Sequence, residues 1–288
     1  MRSLRWVAAL TLMTGLAAGC GTATTPGASR TPAPPGAAPS ATAPRSARPP
    51  APSPPARTAA PSPATTRTSL PGQPGHLVAI SVGRHAAFDR MVFRFSGPVP
   101  GYRAGYVKAV RSDPKGQLVP LPGQAFVRVV FHPATGYSGP QAVTPLFPAL
   151  LQIQAAGDFE GYLSFGAGVS QRAALHVFTL TQPNRLVIDI PHTAMPPFPG
   201  IWDITSWPQF WSMQIAVMQG HQPWLLSPPM VVQAWAAGNM TNPVVQQTGP
   251  GTFTVTEPST GKQATITGTC PVTAGARIWV ITKIADNG

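Results

Sequence analysis

Short runs of alternating apolar and polar residues dominate the stretch from His76 to His192. Leu77–Val82, Arg90–Phe95, Ala125–Phe131, Tyr162–Phe165, Ala174–Leu180 and Arg185–Ile190 each follow the period of two that puts alternate side chains on one face of a strand. In the second run Met91, Phe93 and Phe95 share one face. Turn-forming groups separate the runs, among them Ser112–Gly116 and Gln182–Asn184. Seven or so short strands without a helical period predict a β-sandwich or a rolled sheet.

From Ile201 the pattern changes. Trp207, Phe210, Trp211, Gln214, Ile215, Val217 and Met218 recur at helical spacing. Ser206 or Thr205 is placed to cap this helix, Pro208 falls in its first turn and Gly220 past its end. Ser227 is placed to cap a second helix, from Pro228-Pro229 to about Ala237. Three strand-like runs follow: Gly251–Thr256, Gln263–Thr267 and Arg277–Ile284, the first two joined by the turn Ser259–Lys262. Two helices on a three-stranded antiparallel sheet is the economical arrangement. The expected fold class is therefore mainly β with an α+β part: a sandwich at 76–192, a proline-rich break at Pro191–Pro199, and a small domain at 200–288.

Upstream, composition replaces pattern. Arg2 and Arg5 precede an apolar run, Trp6–Ala18, that is shorter than the ~20 residues needed to span a bilayer. It has the form of a signal-peptide core, predicting a leader over 1–19. Leu16-Ala17-Ala18-Gly19-Cys20 resembles the lipobox of bacterial lipoproteins, although the place three residues before the cysteine holds Ala17 rather than leucine. This resemblance implies cleavage before Cys20, lipidation of its thiol, and membrane anchoring through the acyl chains. Residues 21–75 contain 15 of the 37 prolines, no acidic or aromatic residue and a single leucine. Such a segment buries too little apolar surface to offset its chain entropy, so 20–75 reads as a lipidated cysteine followed by a disordered spacer. Fully extended, it would reach about 170 Å.

Charge narrows the function classes. The formal net charge is +12, but seven of the twenty basic residues lie before residue 76, leaving thirteen basic against eight acidic residues in the body. No Lys/Arg cluster or nucleic-acid motif accompanies that modest excess, so no nucleic-acid partner is expected. Only two cysteines occur, and with Cys20 lipidated Cys270 has no partner; a buried, inert thiol is expected there. Nucleophile elbows, His-Glu-x-x-His, phosphate loops and dinucleotide fingerprints are all missing, and the six histidines lack metal-ligand spacing. A non-enzyme without cofactor or metal is expected. Asp158 and Glu160 could suggest a cation site, but a solvated loop is the simpler reading, and Asp189 is expected to pair with Arg90 or Arg185. Six of seven tryptophans fall beyond residue 200, where a domain of this size without a disulfide needs large apolar groups for its core. The candidate ligand or partner contacts are Trp207, Trp211, His221 and Trp224.

Several motifs in order carry a family resemblance. Gly83–Phe93, Gly101-Tyr-Arg103 with Tyr106-Val107, Gly157–Gly161, Phe165-Gly-Ala-Gly168 and Pro183–Ile190 resemble the AMIN-like domain of actinobacterial lipoproteins. The resemblance implies a β-sandwich and, by analogy with AMIN domains, localisation in the envelope through binding of peptidoglycan. The Trp-x-x-x-Trp helix, the Gly220–Trp224 turn and Gly275–Val280 resemble a C-terminal module of envelope proteins without assigned activity. The combined expectation is a monomeric, lipid-anchored, non-catalytic protein on the extracytoplasmic face of the membrane that binds a wall component such as the peptidoglycan glycan or positions an envelope complex. The alternative is an interaction or regulatory module acting on an envelope enzyme or secretion machine.

Overall fold

The computed structural model describes residues 74–287 and the backbone of Thr65–Arg67. The leader 1–19, Cys20 and nearly all of the spacer lie outside the described residues, which all fall in one compact unit.

Among the described residues eleven strands precede the proline-rich break: β1 (Thr65–Arg67), β2 (Gly75–Arg84), β3 (Phe88–Phe95), β4 (Gly101–Val107), β5 (Ala125–His132), β6 (Ala134–Thr135), β7 (Ala142–Val143), β8 (Leu150–Phe159), β9 (Tyr162–Val169), β10 (His176–Leu180) and β11 (Arg185–Pro191). They form a six-stranded sheet, β1-β4-β5-β9-β8-β7, and a five-stranded one, β10-β11-β3-β2-β6. Three residues of the stretch read as spacer, Thr65–Arg67, pair antiparallel with β4.

The inward rows follow the alternation in the sequence. Met91, Phe93 and Phe95 from β3 meet Val127, Val129 and Phe131 from β5, Leu163 and Phe165 from β9, and Leu186, Ile188 and Ile190 from β11. Phe93, Phe131 and Phe165 pack with ring centroids 5.2–6.5 Å apart. Each fully buried side chain of this kind contributes about 1.5–3 kcal/mol.

Strands β8 and β9 are joined by a two-residue turn, Glu160-Gly161, with φ of 49° and 77°. Positive φ at both positions matches the twist of the flanking strands. Asp158 is therefore the penultimate residue of β8 and Glu160 sits in the turn, and both are exposed, as the solvated reading expects.

The outer side of the six-stranded sheet is not bare. The connection 108–124 between β4 and β5 lies across it, and glycines make the room. A Cβ on Gly166 would stand 2.7 Å from Val110, one on Gly168 2.1 Å from the Pro122 carbonyl, and one on Gly157 2.7 Å from Asp113. Asp113 fastens the connection by accepting from Arg128 (2.6 and 2.9 Å) and from the Ser164 hydroxyl (2.7 Å).

Beyond the break come α1 (Trp207–Met218), a single 3₁₀ turn (Pro223–Leu226), α2 (Pro228–Asn239) and the strands β12 (Val244–Gly249), β13 (Thr252–Thr256), β14 (Gln263–Thr269) and β15 (Val280–Asp286). Ser206 caps α1 as expected, accepting from the Gln209 N–H, and Pro208 sits in the first turn. Ser227 occupies the N-cap position of α2 but its hydroxyl makes no capping bond.

The sheet has four strands, β12-β13-β14-β15, not three. The extra strand is an edge strand whose residues are mostly exposed, so its sequence, Val-Val-Gln-Gln-Thr-Gly, carries no alternation. The last strand also begins three residues later than Arg277, because the Trp279 N–H bonds to the Leu225 carbonyl of the 3₁₀ turn. Cys270 is half-buried rather than buried, and its thiol donates to the Arg277 carbonyl (3.5 Å).

The two parts share packing. Leu151 of β8 belongs to the C-terminal core rather than to the sandwich core. Gln214 of α1 is fully buried; its Oε1 accepts from Gly123 N–H (3.0 Å) and its Nε2 donates to the Ala276 carbonyl (2.7 Å). One amide side chain thus ties the covering connection, the helix and the loop before β15.

Candidate functional site

Two surfaces carry polar chemistry that the fold holds in place. The first is the outer face of the five-stranded sheet. There Arg90 of β3 pairs with Asp189 of β11 through Nε–Oδ1 (2.6 Å) and Nη2–Oδ2 (2.8 Å), one of the two pairings expected from sequence. The guanidinium also lies over the rings of Phe88 (5.2 Å) and Phe178 (5.6 Å), and His85 stacks on Phe88 (4.4 Å). The hydrogen bond to Asp189 holds Arg90 above its usual pKa against the opposing effect of burial. Around this pair Ser81, Arg94, His176 and Leu180 are open to solvent.

The second is a cleft of about 340 Å³ between one end of the sandwich and α1. Its sandwich wall is built from Arg84, from Leu146–Pro148 before β8 and from Thr193 and Met195 after β11; its helix wall is Trp207, Pro208 and Trp211. The volume is within the range of small-ligand sites.

A buried carboxylate holds the sandwich wall together. Asp89 has no exposed surface. Its Oδ2 accepts from the N–H groups of Ala149 (2.6 Å) and Leu150 (2.9 Å), and its Oδ1 lies 2.9 Å from Nε2 of His192, which fits an imidazole N–H donated to the carboxylate. Burying a carboxylate is costly unless it is hydrogen-bonded and paired, and these contacts meet that cost. They also fix the residues on either side: Ala149 follows the cleft's Pro148, and His192 precedes Thr193. These contacts make the pair a brace that joins β3, the entry to β8 and the residue after β11.

The helix wall is equally fixed. Trp207 and Trp211 stack with centroids 5.2 Å apart and planes at 21°. Trp207 Nε1 donates to the Pro196 carbonyl (2.7 Å), and Phe198 packs edge-on against it (5.0 Å). Arg84 carries inward-row geometry to the end of β2 and is exposed there, with no hydrogen bond or ion pair among the described residues.

Of the sequence candidates, Trp207 and Trp211 meet in this cleft. His221 and Trp224 do not: they follow the far end of α1, about 18 Å along the helix. His221 is exposed, and Trp224 is half-buried against the C-terminal core. Trp211, Trp235 and Trp279 are buried, and Trp202, Trp207 and Trp224 are partly buried against the same core, so most of the aromatic content is structural. Arg84, Met195 and the Asp89–His192 brace were missed; their only sequence signal is that Arg84 and Asp89 lie within the Gly83–Phe93 motif and that His192 and Met195 follow the Pro183–Ile190 motif.

A larger hollow of about 440 Å³ lies between the covering connection and the end of α1, lined mainly by aliphatic side chains and by Lys108. It has no aromatic pair and no polar network. Among the described residues no group of three or more His, Cys, Asp or Glu is placed to hold a metal ion, and no helix is long and apolar enough to cross a membrane.

Residues 75–192 match the AMIN-like domain family, from the first residue of β2 to His192 at the brace. No curated protein and no solved structure matches the chain. AMIN-like domains are in general binding domains of the cell envelope, associated with peptidoglycan. The chain is therefore an AMIN-like domain-containing protein, its domain a β-sandwich at 75–192 followed by a part with two helices and a four-stranded sheet.

Proposed function

We propose that this protein is a non-catalytic lipoprotein, held through Cys20 on the extracytoplasmic face of the membrane, that binds peptidoglycan as a monomer. The observation that carries this reading is the AMIN-like match over 75–192. The open outer face of the five-stranded sheet supports it, because it offers a pre-paired Arg90–Asp189 couple beside aromatic rings, groups suited to sugar hydroxyls and ring faces. The leader-like residues 1–19 and the lipobox-like run before Cys20 support the anchoring.

Co-sedimentation of the detergent-solubilised full chain with purified wall sacculi tests the binding. Retention above a control protein of similar charge is expected at moderate salt, and its failure overturns the reading. Metabolic labelling with palmitate tests the anchor: incorporation is expected in the wild type and not in Cys20→Ser. Docking of an envelope protein on the tryptophans of the C-terminal part is less favoured, because three of the six are in its core.

A further inference from the structure

We infer that the cleft between Arg84 and the Trp207–Trp211 pair binds a saccharide unit that bears a carboxylate. This deepens the wall-binding reading and rests on it for the source of the ligand.

Three features define the chemistry. The first is an aromatic wall whose position does not depend on a ligand. The Trp207 indole N–H is already satisfied by the Pro196 carbonyl (2.7 Å), and the ring is clamped between Trp211 and Phe198. What such a wall offers the cleft is indole surface, which suits the C–H face of a sugar ring. The second is Arg84, the one cation in the lining, which has no partner among the described residues. A guanidinium beside a low-polarity wall selects a planar anion that can take two parallel N–H bonds, and carboxylate has that geometry. The third is the brace. The neighbouring carboxylate, Asp89, is buried with both oxygens occupied, so it makes no ion pair with Arg84. A volume of about 340 Å³ takes one or two sugar rings, not a long strand.

Carboxylate on a sugar has two sources in an envelope: the lactyl group of muramic acid where the peptide has been removed, and uronic-acid units of acidic polysaccharides. Calorimetric titration of the detergent-solubilised full chain with N-acetylmuramic acid, glucuronic acid and neutral N-acetylglucosamine separates them. Binding of at least one acid, at least tenfold tighter than the neutral sugar, is expected. Which acid binds assigns the source. Arg84→Gln should remove that preference while leaving the melting temperature unchanged, since the side chain is exposed. Arg84→Lys should restore part of it. Equal affinity for acidic and neutral sugars, no binding of either acid, or a preference that survives Arg84→Gln overturns the inference. Sacculus retention of Arg84→Gln is read separately: if it persists while the acid preference is lost, wall binding stands on the sheet face and the cleft adds selectivity. If acid binding is intact but sacculi are not retained, the wall reading fails and the cleft stands.

Discussion

Asp89 and His192 lie 103 residues apart in the chain and 2.9 Å apart in space. The contact joins the start of β3 to the residue just after β11, while the other carboxylate oxygen gathers the N–H groups of Ala149, just before β8, and Leu150, its first residue. Asp89→Asn would turn one acceptor oxygen into a donor facing either the imidazole N–H or two backbone N–H groups. The expected cost is about 3 kcal/mol in urea unfolding, the scale for leaving the hydrogen-bond partners of a buried charged acceptor unsatisfied. His192→Ala should cost less, because the two backbone bonds remain.

Gln214→Leu keeps the volume of the side chain and deletes its amide. The Gly123 N–H and the Ala276 carbonyl would then be buried without partners. A loss of about 2–3 kcal/mol is expected. Because this side chain joins the covering connection to the C-terminal part, limited proteolysis should show faster cleavage within 108–124 or 271–277.

Gly168→Ala tests the covering connection from beneath. The added methyl would stand 2.1 Å from the Pro122 carbonyl oxygen, so backbone has to move. Destabilisation of about 2 kcal/mol or more is expected, by the cost of overpacking. Gly261→Ala, with nothing near its Cβ but a φ of 76°, should show strain without a clash and a smaller loss.

Acid should loosen the C-terminal part through Glu257. Hydrogen bonds from the Thr260 hydroxyl (2.6 Å) and the Thr241 N–H (2.5 Å) hold its carboxyl below the ordinary glutamate range. A carboxyl with a lowered folded-state pKa stabilises fully above its unfolded value, and that stability fades as pH falls through the folded one. The melting temperature of the wild type should therefore drop on acidification, Glu257→Gln should drop less, and the two curves should converge at low pH.

The sequence carried the sandwich core because inward and outward positions alternate cleanly wherever one face is buried and the other wet. Met91, Phe93 and Phe95 are such a row, and α1 was bounded by Ser206, Pro208 and Gly220 for equally local reasons. Strand β8 was hidden because both its faces are covered: Leu150 and Ile153 enter the sandwich core and Leu151 the C-terminal one, so no alternation survives. Edge strand β12 was hidden for the opposite reason, having almost nothing buried. The Arg90–Asp189 pair was legible because each charge sat in an apolar strand-like run, where a charge needs a partner. The cleft was half legible: two tryptophans four residues apart on a helix mark a shared face, but Arg84 and Met195 reach it from strand ends more than a hundred residues apart.

The glycines of β8 and β9 have a consequence larger than their own packing. By accepting the 108–124 connection, they give one sheet a permanent internal partner. A sandwich with two equivalent free sides could cross-link two layers; among the described residues this one has a single open side, the Arg90–Asp189 face. If that side is the one that grips the wall, binding there is monovalent, a label on one surface rather than a bridge between two.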